Sequence, residues 1–451
     1  MKGPFVRTGL ALAVLAGLGA YIYFVESKKP SGSEKKKEKV LELSKDKVTA
    51  LDIEPPSGEA VHLVKQGKDW KLGGPAAAPA DANEVDSLLS TLQNLEVEEV
   101  VNEKPASLGE FGLDPPRRSL SATLAGAKQP LKLLLGDKTP DGGALYAKTP
   151  DKPRVFTIAS YQEASLSKKP FDLRDRDLLH VKRDAVRTLE ITGPDGSYAL
   201  LRDDKGEWTF TRPLTTRAGR WAVDGLLGTL ESLRMDSIAA EDAKDLKPFG
   251  LVKPARTLSL GLADGATKRL EIGSSAADKK YHAREASSSL VAVIPGAIVD
   301  DLAKGMKELR QKRLADIPTY EVTGVDATLE GKAFVYARST TQAKQGVQEE
   351  KWKRTSPDKK DVDRSKVEDV LFKLSGVEVQ DFVDKPQAAA SYGLDQPFAK
   401  LSFRFEAGKP AVELTLGRKD GATYAKRPGD DAVLKLDSAK VDEALKALKE
   451  L

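Results

Sequence analysis

The chain has 451 residues, with 72 Lys and Arg against 68 Asp and Glu, and no cysteine. A net charge of +4 leaves no broad electropositive footprint, so no nucleic-acid partner is expected. The lack of cysteine excludes disulfides, thiolate zinc sites and a cysteine nucleophile, and at roughly 100 to 200 residues per domain the length predicts about three domains.

From Thr8 to Val25 the run TGLALAVLAGLGAYIYFV carries no charge, and 18 helical residues rising 1.5 Å each reach about 27 Å, enough to cross a bilayer core. Tyr21, Tyr23 and Phe24 crowd one end, as aromatic residues do at a membrane interface. No small-x-small cleavage site follows, so residues 1–26 predict an uncleaved transmembrane anchor. Residues 27–39, SKKPSGSEKKKEK, have nothing apolar to bury and predict a charged tether. Lysines 28, 29, 35, 36, 37 and 39 after the span outnumber Lys2 and Arg7 before it, which by counting favours a cytoplasmic body. Long domains translocate largely regardless of charge, and a basic front usually sets direction, so the body is expected outside the cytoplasm, with the cytoplasmic orientation as the alternative.

The remainder divides into three similar modules, 40–178, 179–314 and 315–451. Each opens with alternating segments separated by turn residues, such as VTALDI and VHLV around PPSGE, which predict hairpins. A third strand carries Trp70, Trp208 or Trp352. The third module has eight extra residues near STTQAKQGVQEE, which predict a longer surface loop. Fifteen residues after each tryptophan begins a helical stripe: Val85, Leu88, Leu89, Leu92; then Val223, Leu226, Leu227, Leu230; then Val367, Val370, Leu371, Leu374. Asp81 with Glu84 has capping-box spacing, and Asp363 can cap the third helix, while Gly219 stands at that place in the second.

Next comes a phrase written three times: FGLDPP around Gly112 and Leu113, FGLVKP around Gly250 and Leu251, YGLDQP around Gly393 and Leu394. These glycines follow the tryptophans at spacings of 42, 42 and 41. A ligand cradle and a helix stop are both readings of such a phrase. The stop is favoured, because Gly suits a left-handed residue past a helix end, Pro prevents continuation, and Leu108 with Leu113 (or Leu246 with Leu251, Ala389 with Leu394) makes the apolar pair of a Schellman motif. Strands ending at Gly136, Gly273 and Gly417 follow 24, 23 and 24 residues later. Then come Tyr146, Tyr281 and Tyr424, two further strands, and a closing amphipathic helix. The expected fold class is therefore α+β: an N-terminal transmembrane helix followed by three tandem antiparallel-sheet-plus-helix modules. The segments LRDRDLLHV and LRQKRLADI join the modules.

No Walker A loop, GxSxG elbow, HExxH helix, EF-hand loop or dinucleotide GxGxxG occurs. His62, His180 and His282 fall at unrelated places in the repeat, so no catalytic, cofactor or metal residue is expected. Trp221 breaks the repeat: it aligns with Asn83 and Ser365 and lies about 160° around the helix from Val223, with Arg217 and Arg220 nearby. Exposed, this trio would be a partner contact; the alternative is that Trp221 folds back over a neighbouring element.

The tryptophan strand, the aromatic-Gly-Leu-x-x-Pro phrase, the Gly-ended strand, Tyr-Ala-Lys and the LRDRDLL-type joins resemble a bacterial family of unknown function, DUF4340, over nearly the whole chain after residue 39. Members are often encoded beside ABC-2 type exporters and the auxiliary protein of gliding-motility-type transport. The resemblance implies a noncatalytic, membrane-anchored accessory subunit of an ABC-type transporter complex, single-pass in the bacterial inner membrane with a periplasmic body. It carries no catalytic residues to transfer. A binder of cell-wall glycan or another envelope polymer is the alternative, and an envelope hydrolase a remote one.

Overall fold

Alternating strands and turn-rich hairpins dominate the chain, and they fold into three sheets of identical topology. The structure, a computed structural model, describes residues 37–74, 77–315, 317–342, 348–406 and 409–451. In the first module the strands are β1 (Val48–Glu54), β2 (Val61–Gln66), β3 (Asp69–Leu72), β4 (Ala78–Pro79), β5 (Glu99–Asn102), β6 (Arg118–Leu124), β7 (Leu131–Lys138), β8 (Ala144–Lys148) and β9 (Val155–Ala159). Their order is β4-β3-β2-β1-β6-β7-β8-β9-β5, antiparallel throughout. The same nine-strand order recurs from Val186–Gly193 to Val291–Pro295 and from Val322–Leu329 to Val433–Leu436.

Helices α1 (Ala82–Asn94), α2 (Arg220–Glu231) and α3 (Arg364–Ser375) bury the three predicted Val and Leu stripes. Those stripes meet the inward side chains of the strands, with Leu51, Ile53 and Leu63 in the first core and Val325, Tyr336 and Phe403 in the third. Trp70, Trp208 and Trp352 are buried there too. The Asp81 carboxylate accepts from the backbone N–H of Asn83 and Glu84. Glu84 does not complete the capping box; its carboxylate pairs with Lys168 at 2.8 Å.

The expected fold class is corrected on two counts. The described residues form three nine-stranded antiparallel sheets with few helices, and no helix among them is long and apolar enough to cross a membrane. The expected span, Thr8–Val25, lies outside the described residues. The balance shifts from α+β toward sheet because two strands per module, β4 and β5 in the first, are too short for a readable alternation. The predicted closing helix also breaks: Pro170 starts a second short helix in the first module, and Gly305 interrupts it in the second. Only the third module closes with a long helix, α4 (Ser438–Glu450). The eight extra residues of that module lengthen paired strands, Lys332–Gln342 and Gln348–Ser356, whose ladder runs to Gln342 opposite Gln348.

The chain divides into two compact units, 1–176 with the first sheet and 177–451 with the other two. The last tether residues, Lys37 to Lys39, are not free chain. Glu38 accepts from the Val97 N–H at 2.8 Å through its backbone carbonyl, and its carboxylate pairs with Lys152 and Arg154.

Candidate functional site

The thrice-written phrase is a backbone lock. Gly112 sits left-handed at φ 65° and ψ 27° after a single 3-10 turn, Gly109–Phe111, so it caps that turn rather than a long helix. The Gly112 N–H donates to Gly109 O at 3.0 Å and the Leu113 N–H to Leu108 O at 3.1 Å, the two bonds of a Schellman motif. The second copy repeats them at 3.1 and 3.1 Å and the third at 3.3 and 3.0 Å. The strand expected to end at Gly136 runs on to Lys138, as its counterparts run past Gly273 and Gly417, and the turn docks on it where a Cβ at Gly136 would lie 2.1 Å from Phe111 O. The corresponding approaches are 2.0 Å at Gly273 and 2.3 Å at Gly417. Backbone against backbone leaves no room for a side chain.

The aromatic residue of the phrase then packs edge-on against the strand that follows, β8 in the first module. Phe111 meets Tyr146 at 5.1 Å and Tyr392 meets Tyr424 at 5.1 Å. In the second module Phe249 meets His282 at 5.2 Å, so His282 and not Tyr281 holds the tyrosine position. Strand register agrees: Tyr146 lies opposite Thr157, His282 opposite Val293, and each opposed residue is third in its strand. The alignment slips by one because the turn before that strand differs in length, and the A-K and A-R dipeptides were the signal that could have fixed it.

Within the second unit, modules two and three are laced by the joining segment. The Gly219 N–H donates to Leu309 O at 2.7 Å and the Gln311 N–H to Arg217 O at 3.0 Å, while Leu314 N–H reaches Val377 O at 2.8 Å and Val379 N–H reaches Lys312 O at 2.7 Å. Arg310 is buried, with its guanidinium 2.5 Å from Asp384 and 4.6 Å from the Phe382 ring centroid. Arg427, its side chain 2% exposed, pairs with the wholly buried Asp430 and donates to the carbonyls of Arg313 at 2.7 Å and Gln311 at 3.3 Å. Burial pushes the Arg427 guanidinium below its ordinary value, and Asp430 opposes that shift. Asp430 and Asp431 in turn accept from the backbone N–H groups of Arg217 and Thr215.

The candidate partner trio separates in space. Trp221 is 84% exposed at the start of α2, opposite the buried stripe, so it does not fold back over a neighbour. Arg220 stays beside it, 3.8 Å from both Glu207 and Asp224. Arg217 is consumed by the junction, where its guanidinium donates to Pro428 O at 3.3 Å.

The model of the family described as "Domain of unknown function (DUF4340)" matches residues 70–218, 208–397 and 352–451. The chain belongs to the DUF4340 family. No curated protein matches. Among solved structures, a DNA polymerase sliding clamp from Pseudomonas aeruginosa is 7% identical over 86% of this chain and 91% of that one, with a TM-score of 0.15. The same clamp with ligand is 8% identical over 87% and 92%, also at 0.15. Likeness at that level carries no argument.

In this DUF4340 chain the polar depressions are open and their carboxylates are held by cations. One of about 430 Å³ in the first module includes Asp137, 2.5 Å from Arg117, and Glu163, 2.8 Å from Lys138. Burial lowers the Arg118 guanidinium there. Another, about 440 Å³ on the second sheet, includes Glu190, 2.9 Å from Arg212. The histidines lie apart in three settings: His62 contacts Asp52 at 2.9 Å, His282 contacts Ser274 at 3.3 Å, and His180 has a left-handed backbone in the joining segment. No group of three or more metal-ligating side chains occurs among the described residues.

Proposed function

We propose that this DUF4340 chain is a noncatalytic interaction scaffold of the bacterial cell envelope, an accessory component of an ABC-type transporter complex. The observation that carries the reading is Trp221. A large aromatic side chain is held 84% exposed on a helix whose opposite face is locked into a core. Exposed tryptophan beside arginine is the composition of interface hot spots, and Arg220 supplies the neighbouring cation. The other two modules carry Asn83 and Ser365 at the matching position, so the anchor belongs to one module and not to the repeat as such. Placement at the inner membrane with a periplasmic body is part of the proposal, and the family resemblance supports it.

The test is crosslinking in native membranes followed by mass spectrometry, on the wild-type chain and on Trp221→Ala. The reading expects transporter subunits to be captured by the wild type and lost from the variant, with thermal stability unchanged. Capture equal in both, or retention of the chain on purified wall polymer without any transporter subunit, would refute it.

A further inference from the structure

One strand position differs in kind among the three modules. Arg118 begins β6 opposite Leu135, Arg256 stands opposite Ile272 in the second module, and Ala399 stands opposite Leu416 in the third. All three begin the inward face of the same strand, since Leu120, Leu258 and Leu401 follow two residues later and are buried. Alanine needs nothing there. Arginine brings a charge to the margin of a core, and a charge withdrawn from water needs a partner.

The second module supplies that partner from its own turn. Arg256 is buried, and its guanidinium donates to Leu302 O at 2.9 Å and to the Asp195 carboxylate at 3.0 Å. The first module keeps the arginine and lacks the carboxylate. Ser57 and Asp195 each lie four residues past the isoleucine, Ile53 or Ile191, that pairs with the arginine's strand. Each also precedes a positive-φ glycine, Gly58 at 103° or Gly196 at 112°. Among the described residues Arg118 has no hydrogen-bond or ion-pair partner.

Arg118 instead lines the depression of about 430 Å³ that also includes Ser57, Ser167, Arg117 and Lys138. Arg117 and Lys138 are matched one for one by Asp137 and Glu163. Three cations therefore meet two carboxylates, and Arg118 is the surplus charge. Burial lowers its guanidinium, and the field of Glu163, which acts the other way, does not compensate. A carboxylate carries the single negative charge that this surplus calls for, and its two oxygens match the guanidinium fork. A phosphate dianion would set excess negative charge beside Asp137 and Glu163.

We propose that the Arg118 depression binds a carboxylate from outside the module, seated on the guanidinium as Asp195 is seated on Arg256. Two sources share this chemistry, an acidic side chain on a polypeptide turn and a free organic acid. The hydroxyls of Ser57 and Ser167 are further donors at the same place. The site belongs to the first module and does not rest on Trp221, which belongs to the second.

The test titrates the full chain, in mild deuterated detergent, with two probes read by saturation-transfer difference NMR. One is acetyl-Gly-Pro-Asp-Gly-amide, the second module's own turn, whose carboxylate is its one charge. The other is acetate; the neutral Asn form of the peptide is the control, and inorganic phosphate is added as competitor. The tighter carboxylate should bind about 10- to 100-fold better than the Asn peptide, the range of charge-assisted hydrogen bonds. Arg118→Leu should bring it down to the level of the control. Ser57→Asp should do the same, because the carboxylate it introduces restores the pair seen in the second module. Ser57→Asn, neutral and of the same shape, should bind as the wild type does. Near-ultraviolet circular dichroism reports folding, and if Arg118→Leu does not fold, the two Ser57 variants decide the question. Acetate binding at least as tightly as the Asp peptide assigns the site to a free acid, and weaker binding assigns it to an acidic polypeptide; both support the proposal. Saturation by neither probe below about 10 mM overturns it. So does an Asn peptide that binds as well as the tighter carboxylate, phosphate that binds more tightly than both, or binding untouched by Ser57→Asp.

Discussion

Gly136→Ala tests the backbone lock directly. The added methyl would meet Phe111 O at 2.1 Å, against the 3.4 Å where ordinary contact begins, so the turn must retreat by about 1.3 Å. Retreat opens the Phe111–Tyr146 edge contact, about 0.5 to 1.5 kcal/mol, and uncovers part of Leu113, now 2% exposed, for which full exposure costs about 1.5 to 3 kcal/mol. The combined loss is about 2 to 4 kcal/mol, confined to the first module. A chain of several modules does not unfold in two states, so a global melting temperature would blur the effect. Hydrogen exchange read by peptide resolves it: amides of residues 109–113 and 131–138 should exchange about 30- to 1,000-fold faster, with the third module unchanged. Wild-type protection in those peptides would refute the argument that close backbone approach, rather than chance, fixes glycine at this position of β7.

The opposite sign is expected at Gly225→Ala, in the interior of α2 with nothing within 4 Å of the new methyl; helix propensity should stabilise the second module by about 0.5 to 1 kcal/mol, read by exchange across residues 220–231. Arg427→Leu leaves Asp430 buried without its cation and should cost about 3 to 5 kcal/mol, whereas Arg427→Leu with Asp430→Leu should recover much of that loss; exchange at residues 311–314 distinguishes them. Trp221→Ala should leave stability within about 0.5 kcal/mol of wild type, because so little of the ring is covered. Burial pushes the Tyr198 phenol, which donates to Lys304 O at 2.8 Å, up to about 12. Its folded value lies above its unfolded one, so its contribution is complete below about pH 10 and is lost as pH rises toward about 12. Burial also raises the Tyr336 phenol, so an ultraviolet titration should show more than one tyrosine ionising late, and Tyr198→Phe should reduce the amplitude of that late step by one tyrosine.

What the sequence made legible is what periodicity and chirality encode. The Val and Leu stripes of α1, α2 and α3 were readable because a buried helix face repeats every 3.6 residues. Gly112, Gly250 and Gly393 were readable because positive φ selects glycine. The partner of Gly136 was not, since the close approach of Phe111 O lies between segments whose pairing no local pattern reports. The ninth strand of each sheet escaped for a similar reason: Glu99–Asn102 has no buried residue and no alternation, and it is a strand only because β9 offers it an edge. Tyr281 was misassigned because spacing alone cannot absorb a turn of different length. The depressions that include Asp137 and Glu190 could not be foreseen, because each depends on a cation brought in by a neighbouring strand or turn.

The position after Tyr-Ala-Lys shows how one repeat acquires different joints. Thr149, Glu285 and Arg427 are equivalent and all buried, because each lies two residues past a buried alanine (Ala147, Ala283, Ala425) on the inward side of a half-buried strand. Burial of a charge at that place demands a partner, and the two charged copies solve the demand in opposite directions. Glu285 turns into its own loop, accepting from Ser287 N–H at 3.0 Å and Arg269 N–H at 3.5 Å. Arg427 is longer and reaches outward to the joining segment, where three carbonyls converge on it. The backbone fold is indifferent to the choice, so selection on the fold leaves this residue free to vary. In the third module this one side chain ties the loop to the segment that leads into the module, a task that Lys152 and Arg154 perform for Glu38 in the first.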